Sequence, residues 1–399
     1  MYLAMGIWIA ALTPFIAVIL RSHGVDTATI GLLAAVAALV ATALVPAWGH
    51  VADVMLGRVD AFRLGISVAV GWAVLLLLPL PLPVLALIAA LTAIFPTLFQ
   101  ALADSIAVDA LPAPERQYGA MRALASLSFA LGVIAAGFVY DRTGYMAAPV
   151  VCLGLSALLL VILPRVPDRT RDPMVRAVAA AHGGADAAGR FGSISRAIST
   201  QPRLWVVLAL FAVAYTGLLA AMLFLSIRIV ELGGQPSDVA LSYGVAALAE
   251  VPGLIVAGWL VRRIGVRWLV VACLAINGVW IISWGLLPTP DAINATRIAT
   301  GLCFGALIAA RVVLIARLLP EELQATGQTM LQAATFGLGT VLGAIIGGFV
   351  YGVCGPSVLF GLAGAVVIGS AVGAAIILRG PVGARGPTLA RAAVVPVGT

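Results

Sequence analysis

Apolar runs of about twenty residues recur along the whole chain, and each is long enough to cross a hydrocarbon core roughly 30 Å thick. Lipid offers backbone N–H and C=O groups no hydrogen-bond partner, so only helices or closed barrels can span it. The runs are continuously apolar rather than alternating residue by residue, which excludes the barrel. Composition agrees: 62% of the residues are hydrophobic and 10% are charged, where soluble domains carry roughly a quarter. Mean hydropathy is +1.13. An all-α polytopic membrane protein of twelve transmembrane helices is therefore expected. Its spans are 2–20, 28–50, 62–80, 83–108, 118–140, 145–164, 203–226, 237–260, 267–287, 290–318, 326–350 and 355–378. The first span begins at residue 2 without the basic n-region and small-residue cleavage site of a signal peptide, so none is expected.

The net charge of +7 comes from 23 basic residues, all of them arginine. With the N-terminus in the cytoplasm, 17 fall on inside segments. Four fall outside, namely Arg21, Arg142, Arg228 and Arg297, while Arg122 and Arg311 lie within spans. This asymmetry is the positive-inside signature. The basic loops would face anionic headgroups, so the charge sets topology and implies no nucleic-acid partner. Arg21, Arg228 and Arg297 are read as interfacial anchors, and Trp8 and Trp72 as packing or belt residues rather than stacking platforms. Cys152, Cys273, Cys303 and Cys354 show no CxxC spacing, and His23, His50 and His182 form no metal cluster, so neither metal nor cofactor is expected. The expected location is the cytoplasmic membrane, multi-pass, with both termini inside. A small-molecule substrate and the lipid bilayer are the expected partners, and the chain is expected to act as a monomer.

The longest polar segment, 165–202, divides the spans six and six. Around it lie an N-terminal half (1–164), a C-terminal half (203–378) and a tail (379–399). Within the linker, SISRAIST reads equally as an interfacial helix or a solvated stretch. The halves copy each other. LGVIAAGFVY (131–140) matches LGAIIGGFVY (342–351), AVAAL (35–39) matches GVAAL (244–248), and GHVADVMLGR (49–58) parallels GWLVRRIGVR (258–267). Their offsets are 211, 209 and 209. Parallel repeats of six helices place a substrate site between pseudo-symmetric halves near the midplane.

Few charges lie inside the spans. Pro112 and Pro114 break the helix, so spans four and five form a hairpin with Asp104 and Arg122 each nine positions from Ala113. Both would stand on the order of 10 Å above the turn. A lone intramembrane charge costs about 2.5–3.5 kcal/mol, which pairing reduces. The pair is then either a structural ion pair, with Asp104 otherwise snorkelling to the inner headgroups, or a substrate site with arginine donating and carboxylate accepting. Glu250 stands deep in span eight. Desolvation favours its neutral form, which suits either proton coupling or a bond to a neighbouring helix. Pro252 and Gly253 are read as a flexible point beside it.

The stretch Gly49-x-x-Ala52-Asp53-x-x-x-Gly57-Arg58 resembles the loop 2–3 signature of the major facilitator superfamily, with one extra residue between the acid and the second glycine. Its copy at Gly258, Arg262, Arg263, Gly265 and Arg267 keeps the family spacing better. The resemblance implies that both stretches form the cytoplasmic gate, the alternative being ordinary topology-setting charge. An acid in span four, followed 18 residues later by the arginine of Tyr118-Gly119-Ala120-Met121-Arg122, is similar to the lactose permease branch. That branch includes oligosaccharide, nucleoside and phenylpropionate proton symporters. The likeness implies a substrate-binding role for Asp104 and Arg122. ALAEV (247–251) looks most like the phenylpropionate members.

The chain departs from that branch by lacking the arginine of span nine and the histidine–glutamate pair of span ten. Span nine offers Asn277 and Trp280, and span ten offers Arg311. Asn277 and Arg311 join the substrate-binding candidates, and proton coupling falls to Glu250 or Asp104. Arg311 either attracts an anionic substrate, such as an aromatic carboxylate, or neutralises Glu250. The expected activity is secondary transport of a small polar or anionic solute by alternating access, with proton-coupled uptake open. Efflux of amphipathic drugs is the first rival, and a receptor without flux the second. An enzyme is disfavoured, since no HExxH or Ser–His arrangement appears and a chain without lysine has no P-loop.

Overall fold

The computed structural model describes residues 2–76, 78, 80–110, 114–145, 147–165, 197, 199 and 201–379, without the side chains of 2, 46, 90, 101, 107–110 and 114–123. The linker and tail therefore fall almost wholly outside the described residues. So do Pro112 and the side chains of Pro114, Arg116 and Arg122.

The described residues are helical nearly throughout. Fourteen α-helices run in order: α1 (Tyr2–Leu12), α2 (Ile16–Ser22), α3 (Thr27–His50), α4 (Arg58–Leu75), α5 (Leu82–Thr92), α6 (Phe95–Ala110), α7 (Pro114–Thr143), α8 (Ala147–Ile162), α9 (Arg203–Glu231), α10 (Pro236–Trp284), α11 (Pro290–Leu318), α12 (Glu321–Gln332), α13 (Thr340–Cys354) and α14 (Pro356–Ile377). Two π-helical turns, Val51–Leu56 and Ala333–Gly339, continue α3 and join α12 to α13.

These helices make twelve passes between the end where the chain begins, here the near end, and the opposite far end. Pro14 interrupts the first pass between α1 and α2, and Pro96 follows the break between α5 and α6 in the fourth. A proline inside a helix removes a bond donor and clashes with the preceding turn. The eighth and ninth passes differ from expectation. Residues 236–284 are one continuous helix that bends at Gly265, the single position with non-helical dihedrals (φ 83°, ψ 154°). Gly57, at the matching bend of the first half, has φ 89° and ψ 149°. Only glycine adopts such a φ without strain, and the same device recurs within one residue of the repeat offset, at Gly57 and Gly265. Side chains repeat it too. Phe15 meets Tyr140 edge-on at 5.0 Å in the first half, and Phe224 meets Tyr351 at 5.4 Å in the second.

The halves meet through two related seams at the far end. In one, α3 lies on α13: a Cβ on Gly31 would collide with the Ala344 carbonyl oxygen, and one on Gly348 would stand 2.5 Å from that of Thr27. Thr27 Oγ1 also donates to the Gly348 carbonyl at 3.2 Å. In the other, α7 lies on α10: a Cβ on Gly137 would collide with the Ala240 side chain, and Asp141 Oδ1 accepts from the Ser237 amide at 2.9 Å. Between transmembrane helices lipid gives no hydrophobic drive, so small residues that let backbones approach supply the attraction.

Gly253 carries no bend. Its missing Cβ lets the Leu302 carbonyl of α11 approach, and Gly301 and Gly305 receive α10 in the same way. Pro252 sits inside an unbroken helix. The expected flexible point of span eight is instead a tight helix contact.

Overpacking a tight contact costs about 1–3 kcal/mol. Gly31→Val is therefore expected to lower the apparent Tm of the purified protein by several degrees. Gly71→Val, with nothing within 4 Å of its added carbon, should leave it almost unchanged; differential scanning fluorimetry of both variants checks this.

Candidate functional site

Between the halves lies a cavity of about 560 Å³. Its walls come from both halves: the Thr13–Pro14 break of the first pass, the α3 face from Ile30 to Val45, Ala93 and Thr97 of the fourth pass, Leu223 and Ser226 of α9, Tyr243 of α10, and Thr329 to Thr340 of the eleventh pass. Alanine and threonine are its commonest lining residues, and Thr13, Thr42, Thr97, Thr329 and Thr340 supply its polar groups with Ser226, Tyr243 and Gln332.

Arg311 lies behind this wall. It is buried on α11, with its guanidinium 5.3 Å from the Tyr215 ring centre and 5.0 Å from that of Phe336. One terminal nitrogen donates to Thr335 Oγ1 at 2.9 Å and the other to Gln332 Oε1 at 3.4 Å, while Nε has no partner. The π-helical turn at 333–339 carries Thr335 and Phe336, and Gln332 and Phe336 also face the cavity. Two rings, a hydroxyl and an amide thus hold the cation. A desolvated cation–π contact is worth about 2 kcal/mol, comparable with the cost of the charge in a membrane. Its hydrogen bonds go to Gln332 at the end of α12 and to Thr335 on the π turn.

A second cavity of about 120 Å³ adjoins the first across Tyr243, which lines both and donates from its hydroxyl to the Met222 carbonyl at 2.8 Å. Glu250, Arg297, Thr300, Phe129 and Phe304 complete it. Arg297 corrects an expectation. It is 1% exposed rather than an interfacial anchor, with Nε on the Ser242 carbonyl at 3.1 Å, a terminal nitrogen on Thr300 Oγ1 at 3.3 Å, and its guanidinium 5.2 Å from the Trp284 ring. Distance from the span end suggested an anchor, but the helix face decides. Thr296, Arg297 and Thr300 at helical spacing form a polar stripe turned into the bundle, and that stripe was the signal in the sequence.

The other expected site residues lie apart. Asp104 Oδ1 accepts from Gln100 Nε2 at 2.8 Å on its own helix; its pairing with the Arg122 side chain lies outside the described residues. Asn277 is buried in α10, donates to the Cys273 carbonyl at 2.9 Å and lines neither cavity. Tyr243, Gln332 and Thr335 were not singled out beforehand.

At the near end, Asp53 on the π turn pairs with Arg58 Nε at 2.6 Å across Gly57. Gly49, Asp53 and Ser105 line a pocket of about 60 Å³ there. In the second half Arg262 and Arg263 precede the bend at Gly265 and Arg267 follows it, with Arg263 5.1 Å from the Trp259 ring and Arg267 4.6 Å from that of Trp268. Gly258 precedes them on α10, with Arg262 reaching back over it.

The chain matches the MFS_1 like family over residues 1–362. It is similar to the maltose permease of Geobacillus stearothermophilus, 26% identical over 341 residues that cover 85% of this chain and 83% of the permease. In fold it resembles the nucleoside transporter NupG, with a TM-score of 0.73 at 14% identity over 95% of this chain and 97% of that one. A POT family transporter in complex with a thioalcohol-conjugated peptide gives 0.66 at 13% identity over 93% and 94%.

Lysine replaces a planar fork by a point charge, and hydrogen bonds to a charged group are worth about 1.5–3 kcal/mol. Arg297→Lys should therefore lower the apparent Tm well beyond the exposed control Arg142→Lys. Equal melting of the two variants would contradict the buried placement of Arg297.

Proposed function

As the chain belongs to the MFS_1 like family, we propose that it transports a small organic anion with an apolar body by alternating access. One observation carries the reading: a buried arginine, answered by rings and an amide, stands behind the wall of a largely apolar cavity between the halves. An apolar body gains from burial against such walls at roughly 25 cal/mol per Å². A carboxylate reaching Gln332 would find in Arg311 a forked partner with an unsatisfied Nε. The seams lie at the far end, so the pose fits a cavity opening toward the near end. With the near end cytoplasmic, as the arginine distribution implies, that is the inward-facing state.

Glu250 is the coupling group in this reading. It shares the second cavity with Arg297 and meets the first through Tyr243, so its charge state and the solute act on one wall. Asp104 and Arg122 form the second polar element, on the first-half side. Asp53 with Arg58, and the arginines around Gly265, are the near-end gate. A sugar is the second reading, favoured by the likeness to maltose permease and by the hydroxyls of Thr13, Thr42 and Thr97.

Proteoliposomes with an internal pH dye test this, using apolar monocarboxylates, nucleosides and maltose on wild type, Arg311→Gln and Glu250→Gln. Carboxylate flux is expected, falling about tenfold or more in Arg311→Gln, the loss of one charge-assisted bond. Glu250→Gln should keep exchange but lose proton-linked accumulation. Maltose flux indifferent to Arg311→Gln would overturn the anion assignment in favour of the sugar.

A further inference from the structure

We propose that the bend at Gly265 is a binding site for the headgroup of an anionic phospholipid. The two halves build their near-end bends alike, Gly57 and Gly265 having nearly the same dihedrals, but they charge them oppositely. In the first half Asp53 closes the bend on Arg58 at 2.6 Å. At the offset of 209 residues its counterpart is Arg262, and Arg58's counterpart is Arg267. The second bend thus repeats the cation and inverts the acid. Three arginines, 262, 263 and 267, gather there, and the ion pairs found among the described residues involve none of them.

The second observation is the state of these side chains. Arg267 donates to the Ala375 carbonyl at 2.6 Å, yet its Nε is buried without a partner. The rings beneath the cations, Trp259 and Trp268, are 48% and 52% exposed. Tryptophan with half its ring exposed at the end of a span belongs at headgroup depth. Arginine is the side chain whose planar fork matches a phosphate with two parallel bonds. An anion at this depth that also covers exposed indole is a phospholipid: its phosphate takes the place of Asp53's carboxylate and its chains lie along the rings.

Native mass spectrometry of the full chain in detergent, titrated with phosphatidylglycerol and with phosphatidylcholine of the same acyl chains, tests the site. Wild type should retain phosphatidylglycerol at least tenfold more tightly than phosphatidylcholine. Glycerophosphoglycerol, which has the headgroup without chains, should not displace it. Arg262→Gln with Arg263→Gln should lose that preference, and the far-end control Arg142→Gln should keep it. Arg262→Asp restores the acid of the first half beside Arg267; it should fold normally and also lose the preference, which keeps the test informative if the double variant is unstable. Equal retention of both lipids by wild type, displacement by the chainless headgroup, or an unchanged preference in Arg262→Asp would overturn the proposal.

Discussion

Two backbone contacts, Thr27–Gly31 on Ala344–Gly348 and Ser237–Ala240 on Gly137, hold the halves together at one end and so allow a cavity at all. In lipid, separated helices lose little hydrophobic free energy, so association depends on how closely their backbones can pack. Glycine supplies that closeness where the helices cross. The seams occupy conjugate positions of the internal repeat, Gly31 with Ala240 and Gly348 with Gly137. Where the seams end the helices diverge, and residues from Ile30 to Val45 on one side and Thr329 to Thr340 on the other become cavity wall.

Charge compensation inside the bundle follows a second rule. Arg297 and Arg311 are held by indole, phenol and phenyl faces and by carbonyl, hydroxyl and amide oxygens. A cation answered by dipoles and rings keeps its charge available to an incoming anion, whereas one locked to a carboxylate has spent it. The second half concentrates Arg311, Arg297, Glu250 and the Tyr243 partition, while the first half contributes mainly alanine, leucine, isoleucine and threonine to the cavity. The two repeats share a scaffold but line the cavities differently.

Span number and the repeat were legible in the sequence because hydropathy and offset are properties of the chain itself. Helix faces were not. Arg297 sits close enough to a span end to be read as an anchor, yet its stripe with Thr296 and Thr300 points inward. Asn277 looked available in span nine, yet it bonds its own helix at Cys273. Gly253 beside Pro252 suggested a hinge, and only the neighbouring Leu302 carbonyl shows that the glycine serves packing. The breaks at Pro14 and Pro96 went unread because window-averaged hydropathy is blind to a missing N–H. The proline break does something further: it opens the first pass where Thr13 and Pro14 reach the cavity.

The bends at Gly57 and Gly265 show how one backbone can be tuned by charge alone. With an acid, the bend closes on itself as Asp53 meets Arg58 and leaves a small pocket against Ser105. With a cation in that place it cannot close on itself, since arginines repel, so its compensation must come from outside the bend. Each half thereby answers to a different environment at the same depth, the first to its own side chains and the second to the surrounding leaflet. A gate built this way would be balanced between an internal ion pair and the composition of the membrane, and that balance would exist only because the repeat is broken at Asp53 and Arg262.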